Sequence, residues 1–132
     1  MDLPRIENRA GNITVLEPGI NTPFAVRRVY YLYDVPGGSS RGGHAHRELQ
    51  QLLIAVGGSF EVLLDDGRNR RTVFLNRPYH ALHLPAGLWR ELHNFSSGSV
   101  CLVLASELYD AGDYLRDHAA FRAWKTGRAE RG

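Results

Sequence analysis

Short apolar segments recur along the whole chain, each closed by a turn signal, and this rhythm constrains the fold more than any other feature. The segments read "NITVLE", "FAVRRVYYLYDV", "LQQLLIAV", "SFEVLLDD", "RRTVFL", "HALHLP", "WRELHNFS" and "SVCLVLAS". Between them lie Pro36-Gly37-Gly38, Gly57-Gly58, Asp65-Asp66-Gly67, Asn76-Arg77-Pro78, Pro85-Ala86-Gly87 and Ser96-Ser97-Gly98. Strands at such even spacing predict an all-β sandwich or barrel. In "LLDDGRNRRTV" the Asp-Gly pair predicts a hairpin with a two-residue turn, because such turns need positive φ. The stretch "DAGDYLRDHAAFRAWKT" has helical spacing instead. Tyr114, Leu115, His118, Phe121, Arg122 and Trp124 recur at three- and four-residue intervals, predicting one amphipathic C-terminal helix outside the barrel, capped by Asp110 or Asp113.

No repeat, linker or low-complexity segment divides the 132 residues, so residues 1–132 are expected to form a single domain. Sixteen basic against 14 acidic residues is too even a balance to point to nucleic acid or an anionic membrane. Cys101, the sole cysteine, sits in "VCLVLA" and reads as a buried inert thiol that can form no internal disulfide. The N-terminus lacks the pattern of a secretion signal and no apolar stretch approaches membrane-spanning length, which makes the cytoplasm the expected location.

The chemistry concentrates in "RGGHAHRELQQ", residues 41–51. In a strand, residues i and i+2 share a face, so His44 and His46 project together. The frame around them resembles the first cupin motif: Gly38, five residues, His44-Ala45-His46, four residues, Gln51, six residues, Gly58. Pro85-Ala86-Gly87, Arg90 and Asn94 resemble the second. The resemblance implies a cupin-type, jelly-roll barrel. Metal-binding cupins hold iron, manganese or zinc with three histidines and one carboxylate. Here glutamine stands at the carboxylate position, at Gln50 or Gln51, and Arg90 stands at the third histidine position. A guanidinium is a permanent cation with no lone pair to give, so this set predicts no metal. Two imidazoles beside a fixed cation suit proton abstraction next to a carbonyl instead, with Arg90 depressing the imidazolium and stabilising a growing oxyanion.

With "PFAVRRVYYLYDV", "WRELHNFSSGSVCLVLASELYD" and "DYLRDHAAF", these motifs resemble the sugar 3,4-ketoisomerases of the cupin superfamily from about Asn21 to Trp124. The resemblance implies a metal-free enzyme without a cofactor. Its substrate would be dTDP-4-keto-6-deoxyglucose, whose ketone moves from C4 to C3 through an enediolate. It further implies that His44 removes the C3 proton and that His46 assists or relays it. A homodimer is implied as well, with N-terminal strands that can be exchanged. A glutamate found in some members is replaced by Gln50, which counts against a carboxylate there.

Alternation along "VRRVYYLY" puts Arg28 and Tyr30 on one face and Arg27, Val29, Tyr31 and Tyr33 on the other. Arg28 and Tyr30, together with Arg41, are expected to face the ligand, since guanidinium forks match phosphate oxygens. Gln51 is expected to hydrogen-bond in the pocket and Trp89 to wall it or pack in the core. His80 and His83 read as structural, His93 points away from the site by parity with Arg90, and His118 reads as exposed on the helix. Competing functions are a dTDP-keto-sugar epimerase, a metal-dependent cupin enzyme and a non-catalytic sugar binder.

Overall fold

Side-chain alternation builds the barrel and also decides which end of it is filled. The computed structural model describes residues 1–131, with side chains as far as residue 127. A four-stranded sheet runs in the order β3 (Arg28–Leu32), β10 (Val100–Ala105), β5 (Gln51–Gly57), β8 (Ala81–Leu84). The opposing five-stranded sheet runs β11 (Tyr114–Leu115), β4 (Arg41–His46), β9 (Trp89–His93), β6 (Phe60–Asp65), β7 (Arg70–Leu75). A separate hairpin, β1 (Arg5–Ile6) with β2 (Ile13–Thr14), precedes them. These strand pairings are all antiparallel, giving the expected all-β jelly-roll barrel of cupin type.

Several strands change character along their inward face. On β5 it reads Gln51, Leu53, Ala55; on β9, Arg90 then Leu92; on β3, Tyr30 then Leu32. The apolar ends meet Phe60, Val62, Leu75, Leu84, Phe95, Cys101 and Val103 in one buried cluster. The polar ends converge at the other end of the barrel and leave a cavity there. Cys101 lies within the plugged half, where burial pushes its thiol up to about 12. On the outer face of the four-stranded sheet, Leu52, Ile54, Ala81 and Leu104 are covered by Leu3, Leu16, Phe24 and Val26 of the N-terminal segment.

Three local expectations are corrected. Asp65 pairs with Arg70, so β6 and β7 are joined by four residues and not by a two-residue turn. The Asp66 carboxylate accepts the amides of Arg68 and Asn69, which stabilises the wider loop, and Gly67 takes the positive φ of 96°. The C-terminal helix α1 spans His118–Arg131, later than its spacing suggested. Tyr114 and Leu115 form β11 against the edge of β4, opposite His46 and Ala45, because pairing with that open edge outweighs helical propensity. Asp117, not Asp110 or Asp113, receives the first-turn amide of Ala120; Asp110 caps the short 3₁₀ turn Ala111–Asp113.

Helix α1 is anchored by Phe121, fully buried against Ala45, Trp89 and Leu115. His118 is not exposed as expected: its Nε2 lies 2.7 Å from Asp65 Oδ2 and its ring meets Trp89 edge-on. Phe121→Ala is expected to cost about 3–5 kcal/mol of stability, the range for emptying a buried aromatic site, read from the urea denaturation midpoint. Because α1 covers β4 from outside, the same variant tests whether the strand carrying the histidines needs that support.

Candidate active site

The cavity at the open end has a volume of about 130 Å³ and is lined by Tyr30, Leu32, Arg41, Gly42, His44, Gln51, Leu53, Arg90, Leu92 and Val103. That is below the roughly 300–1,000 Å³ of sites enclosing a whole drug-sized ligand.

His44 and Arg90 are opposed across β4 and β9, so their side chains share the inward face. Strict alternation would turn Arg41, three residues before His44, the other way. A bulge between them resets the register. It is made by Gly42 at φ 71°, where a Cβ would stand 2.9 Å from Leu92 Cδ1, so glycine is required twice over.

The imidazoles of His44 and His46 face each other through Nε2 atoms 3.1 Å apart, their rings perpendicular. Tyr114 of β11 packs against both rings. His46 is wholly buried. Burial holds both imidazoles neutral, with pKa values of about 3; Arg90 adds to the effect on each, as do His46 and Arg116 for His44, and Arg28 and Arg116 for His46. They are therefore proton acceptors at neutral pH.

Arg90 is 1% exposed, and burial lowers it to about 10, leaving it a cation at working pH. Its Nη1 donates to Gln51 Oε1 at 2.5 Å, and its Nε and Nη2 donate to Leu88 O. With its oxygen so occupied, Gln51 turns its amide nitrogen to the Tyr30 hydroxyl, donating at 2.9 Å. Tyr30 is thereby an acceptor toward Gln51 and keeps its own proton for the cavity. Burial raises its pKa above the ordinary value, against the opposing hydrogen bond from Gln51. The chain Arg90–Gln51–Tyr30 is a fixed row of donors facing the imidazole pair.

At the rim, the Arg28 guanidinium lies 5.0 Å from the Tyr30 ring centroid and 5.5 Å from that of Tyr109. Its Nε and Nη2 atoms are buried without hydrogen-bond partners. An unsatisfied buried cation of this kind is a seat for an anion. Arg116 stacks on Tyr114 at 4.3 Å on the histidine side.

Of the residues singled out from sequence, His44, His46, Arg28, Tyr30, Arg41, Gln51 and Arg90 come together here. Trp89 does not. It alternates with Arg90 on β9 and so points outward, beneath α1, with its indole NH donating to Glu91 Oε2. Gln50 faces outward too, against His83, which makes Gln51 the residue at the carboxylate position. His93 points away as expected, toward Ser40 and Glu91. Sequence reasoning missed Tyr109, just before the stretch read as a helix, and Asp113, Tyr114 and Arg116, which lie within that stretch. Among the described residues no group of three or more His, Cys, Asp or Glu side chains is placed to hold a metal. The buried guanidinium of Arg90 stands where a third ligand would be needed, so the donor set does not fit a cupin metal. No described helix is long and apolar enough to cross a membrane.

With both imidazoles neutral in the fold and ordinary (about 6.5) when unfolded, the unfolded chain binds protons first on acidification. Their contribution to stability is fully present above pH about 6.5 and is lost as pH falls from there toward 3. The denaturation midpoint is expected to drop steadily between pH 6.5 and 4.5. A midpoint independent of pH across that window would contradict the assignment of neutral rings.

Fold and site together define a cupin-type barrel with an imidazole pair and a buried guanidinium at its open end. The chain belongs to the family described as "FdtA: WxcM-like, C-terminal", whose model matches residues 1–126. It is 38% identical over 124 residues to the TDP-4-oxo-6-deoxy-alpha-D-glucose-3,4-oxoisomerase of Aneurinibacillus thermoaerophilus, covering 94% of this chain and 89% of that one. Among solved structures it is similar to a 3,4-ketoisomerase from Helicobacter canadensis, with a TM-score of 0.92, 40% identity, and 95% and 94% of the two chains covered. It is similar also to QdtA, a sugar 3,4-ketoisomerase from Thermoanaerobacterium thermosaccharolyticum solved in complex with TDP (TM-score 0.94, 35% identity, 96% and 93% covered).

Proposed function

We propose that this chain is a dTDP-sugar 3,4-ketoisomerase that moves the ketone of dTDP-4-keto-6-deoxyglucose from C4 to C3. The observation that carries the reading is the neutral His44–His46 pair opposite the Arg90–Gln51–Tyr30 donors, in a chain 38% identical to an oxoisomerase of that specificity. The C4 ketone acidifies the C3 hydrogen. His44 takes that proton, leaving an enediolate whose oxygens face the donor row. After exchange with solvent at the imidazole pair, a proton is delivered at C4 while the hydroxyl proton passes from O3 to O4, so the C3 ketone forms with no net gain or loss. His46 shares the transferred proton through the contact between the two Nε2 atoms. General base catalysis of this kind contributes about 10²–10⁴-fold, with oxyanion stabilisation supplying much of the rest. No metal or cofactor enters the scheme.

Arg28, with two unpartnered guanidinium nitrogens at the rim, suits the pyrophosphate, and Arg41 is the second cation at the mouth. The cavity then takes the sugar and leaves the nucleotide outside. The same reading makes the enzyme a cytoplasmic homodimer. Val29, Tyr31 and Tyr33 are all more than half exposed on the outer side of β3 and its extension, an apolar surface suited to a second copy. The separate β1–β2 hairpin is the element suited to exchange.

The test is NMR of the product formed from dTDP-4-keto-6-deoxyglucose in deuterated water. A ketone at C3 with deuterium at C4 is expected. Inversion at C5 with the ketone still at C4 would replace this reading with that of an epimerase.

A further inference from the structure

Asp113 lies in the 3₁₀ turn before β11, outside the set of residues that line the cavity, yet its carboxylate reaches the far side of His46. Oδ2 is 3.3 Å from His46 Nδ1. That nitrogen is buried and makes no aligned hydrogen bond, although an unsatisfied buried ring nitrogen is costly. The carboxylate is held firmly. Oδ1 accepts the Glu48 amide at 2.8 Å and Oδ2 accepts the Leu49 amide at 3.2 Å. The turn is itself stapled to the end of β4. The Arg47 amide donates to Asp113 O, and the Arg47 guanidinium donates to Gly112 O at 2.6 Å and Tyr114 O at 3.4 Å.

We propose that Asp113 is a positioning residue that sets the tautomers of both histidines and thereby selects the atom of His44 that acts as base. The proposal rests on the ketoisomerase reading and extends it. A carboxylate can only accept, so the hydrogen of His46 sits on Nδ1 and its Nε2 carries a lone pair. The contact between the two Nε2 atoms then requires His44 to donate from Nε2, which leaves the lone pair of His44 on Nδ1. The Nδ1–Cε1 edge of His44 lies over Gly42 in the cavity lining, at 4.0 and 3.7 Å from the position of a Cβ there. When Nδ1 takes the C3 proton, the Nε2 hydrogen of His44 passes to Nε2 of His46, and the positive charge comes to rest beside Asp113. The other charged groups near the pair, Arg28, Arg90 and Arg116, are all cations and oppose that charge. Asp113 is the counterweight.

Asp113→Asn keeps an acceptor for the Glu48 amide at 2.8 Å and puts an NH₂ donor in place of Oδ2, giving up the longer 3.2 Å bond from the Leu49 amide. His46 must then accept at Nδ1 and donate from Nε2, and His44 must carry its hydrogen on Nδ1, where no lone pair remains for C3. The readout is the long-range ¹H–¹⁵N spectrum of the ligand-free protein labelled at histidine nitrogens, taken alongside kcat and KM. In the unaltered protein we expect hydrogen on Nδ1 of His46 and on Nε2 of His44. In Asp113→Asn we expect both patterns reversed and kcat lowered by at least about 10²-fold with KM within about threefold. The spectrum of the unaltered protein is decisive even if the variant fails to fold, since a bare Nδ1 on His46 overturns the proposal. Reversed tautomers with unchanged kcat, or a loss confined to KM, overturn it equally. The ring spectrum does not depend on which sugar reacts, so an error in the ketoisomerase reading would appear separately, as the wrong product from the unaltered enzyme.

Discussion

Replacing His44 by asparagine is expected to lower kcat by about 10²–10⁴-fold, the span that a positioned general base supplies, while leaving TDP affinity within a few fold. The two effects separate because of where the groups lie. His44 lines the cavity, where the proposed reaction would take place, whereas the unpartnered nitrogens of Arg28 belong to a side chain outside that lining. An asparagine amide is close in size to the inner half of an imidazole and can still hydrogen-bond to His46, so the fold has little reason to change. It cannot accept a proton from carbon. Exchange of the C3 hydrogen with deuterated solvent, followed by NMR, should vanish along with turnover. His46→Asn is expected to retain more activity, since the pocket-facing ring remains and only its partner is lost. If His44→Asn exchanged the C3 hydrogen as fast as the unaltered protein, His44 would not be the base. If it lost TDP binding as well, the separation between rim and cavity would be wrong.

The residues legible in the sequence were those whose positions follow from strand parity. His44 and His46 share a face because they are two apart, and Arg28 with Tyr30 for the same reason. Gln51 and Arg90 were legible through motif spacing, and the barrel through the regularity of its turns. What escaped depends on contacts between distant segments. Tyr114 and Leu115 form a strand of two residues, too short for any period to show, and only the open edge of β4 makes them one. Asp113 is likewise brought to His46 by that pairing, across 67 positions of chain. Trp89 takes the second of its two readings, core packing, because its parity with Arg90 turns it outward and away from the cavity. Arg41 lines the cavity for a reason parity denies. It faces inward because of the bulge at Gly42, and Gly42-Gly43 within a strand was the available sign.

Arg90→Met should cut kcat by about 10²–10³-fold with a small change in stability, an unusual outcome for so buried a side chain. The activity term comes from two losses. The guanidinium orients Gln51, and Gln51 orients the Tyr30 hydroxyl, so without it the donor row proposed to meet the enediolate oxygens is free to turn. Removing one such preorganised donor costs about 2.7–4 kcal/mol in the transition state. On stability two effects oppose each other. Gln51 Oε1 and Leu88 O lose their donors, at about 1–3 kcal/mol each. Against this, a cation is no longer held out of water, and that penalty is itself several kcal/mol. Methionine fills much of the same volume, so the terms offset to within about 2 kcal/mol. The residual activity should also become more sensitive to acid. Burial remains the first cause of the low imidazole pKa values, but the second, the Arg90 charge, is gone, so both values rise from about 3 toward the ordinary histidine range. Protonation would then remove the base at a higher pH than in the unaltered enzyme, and the acidic limb of the kcat/KM profile should move upward. A profile that stays in place while kcat falls would mean that Arg90 acts through Gln51 and Tyr30 alone. A profile that moves downward would contradict the stated sign of the effect, since it would mean that the Arg90 charge raises the imidazole pKa values instead of lowering them.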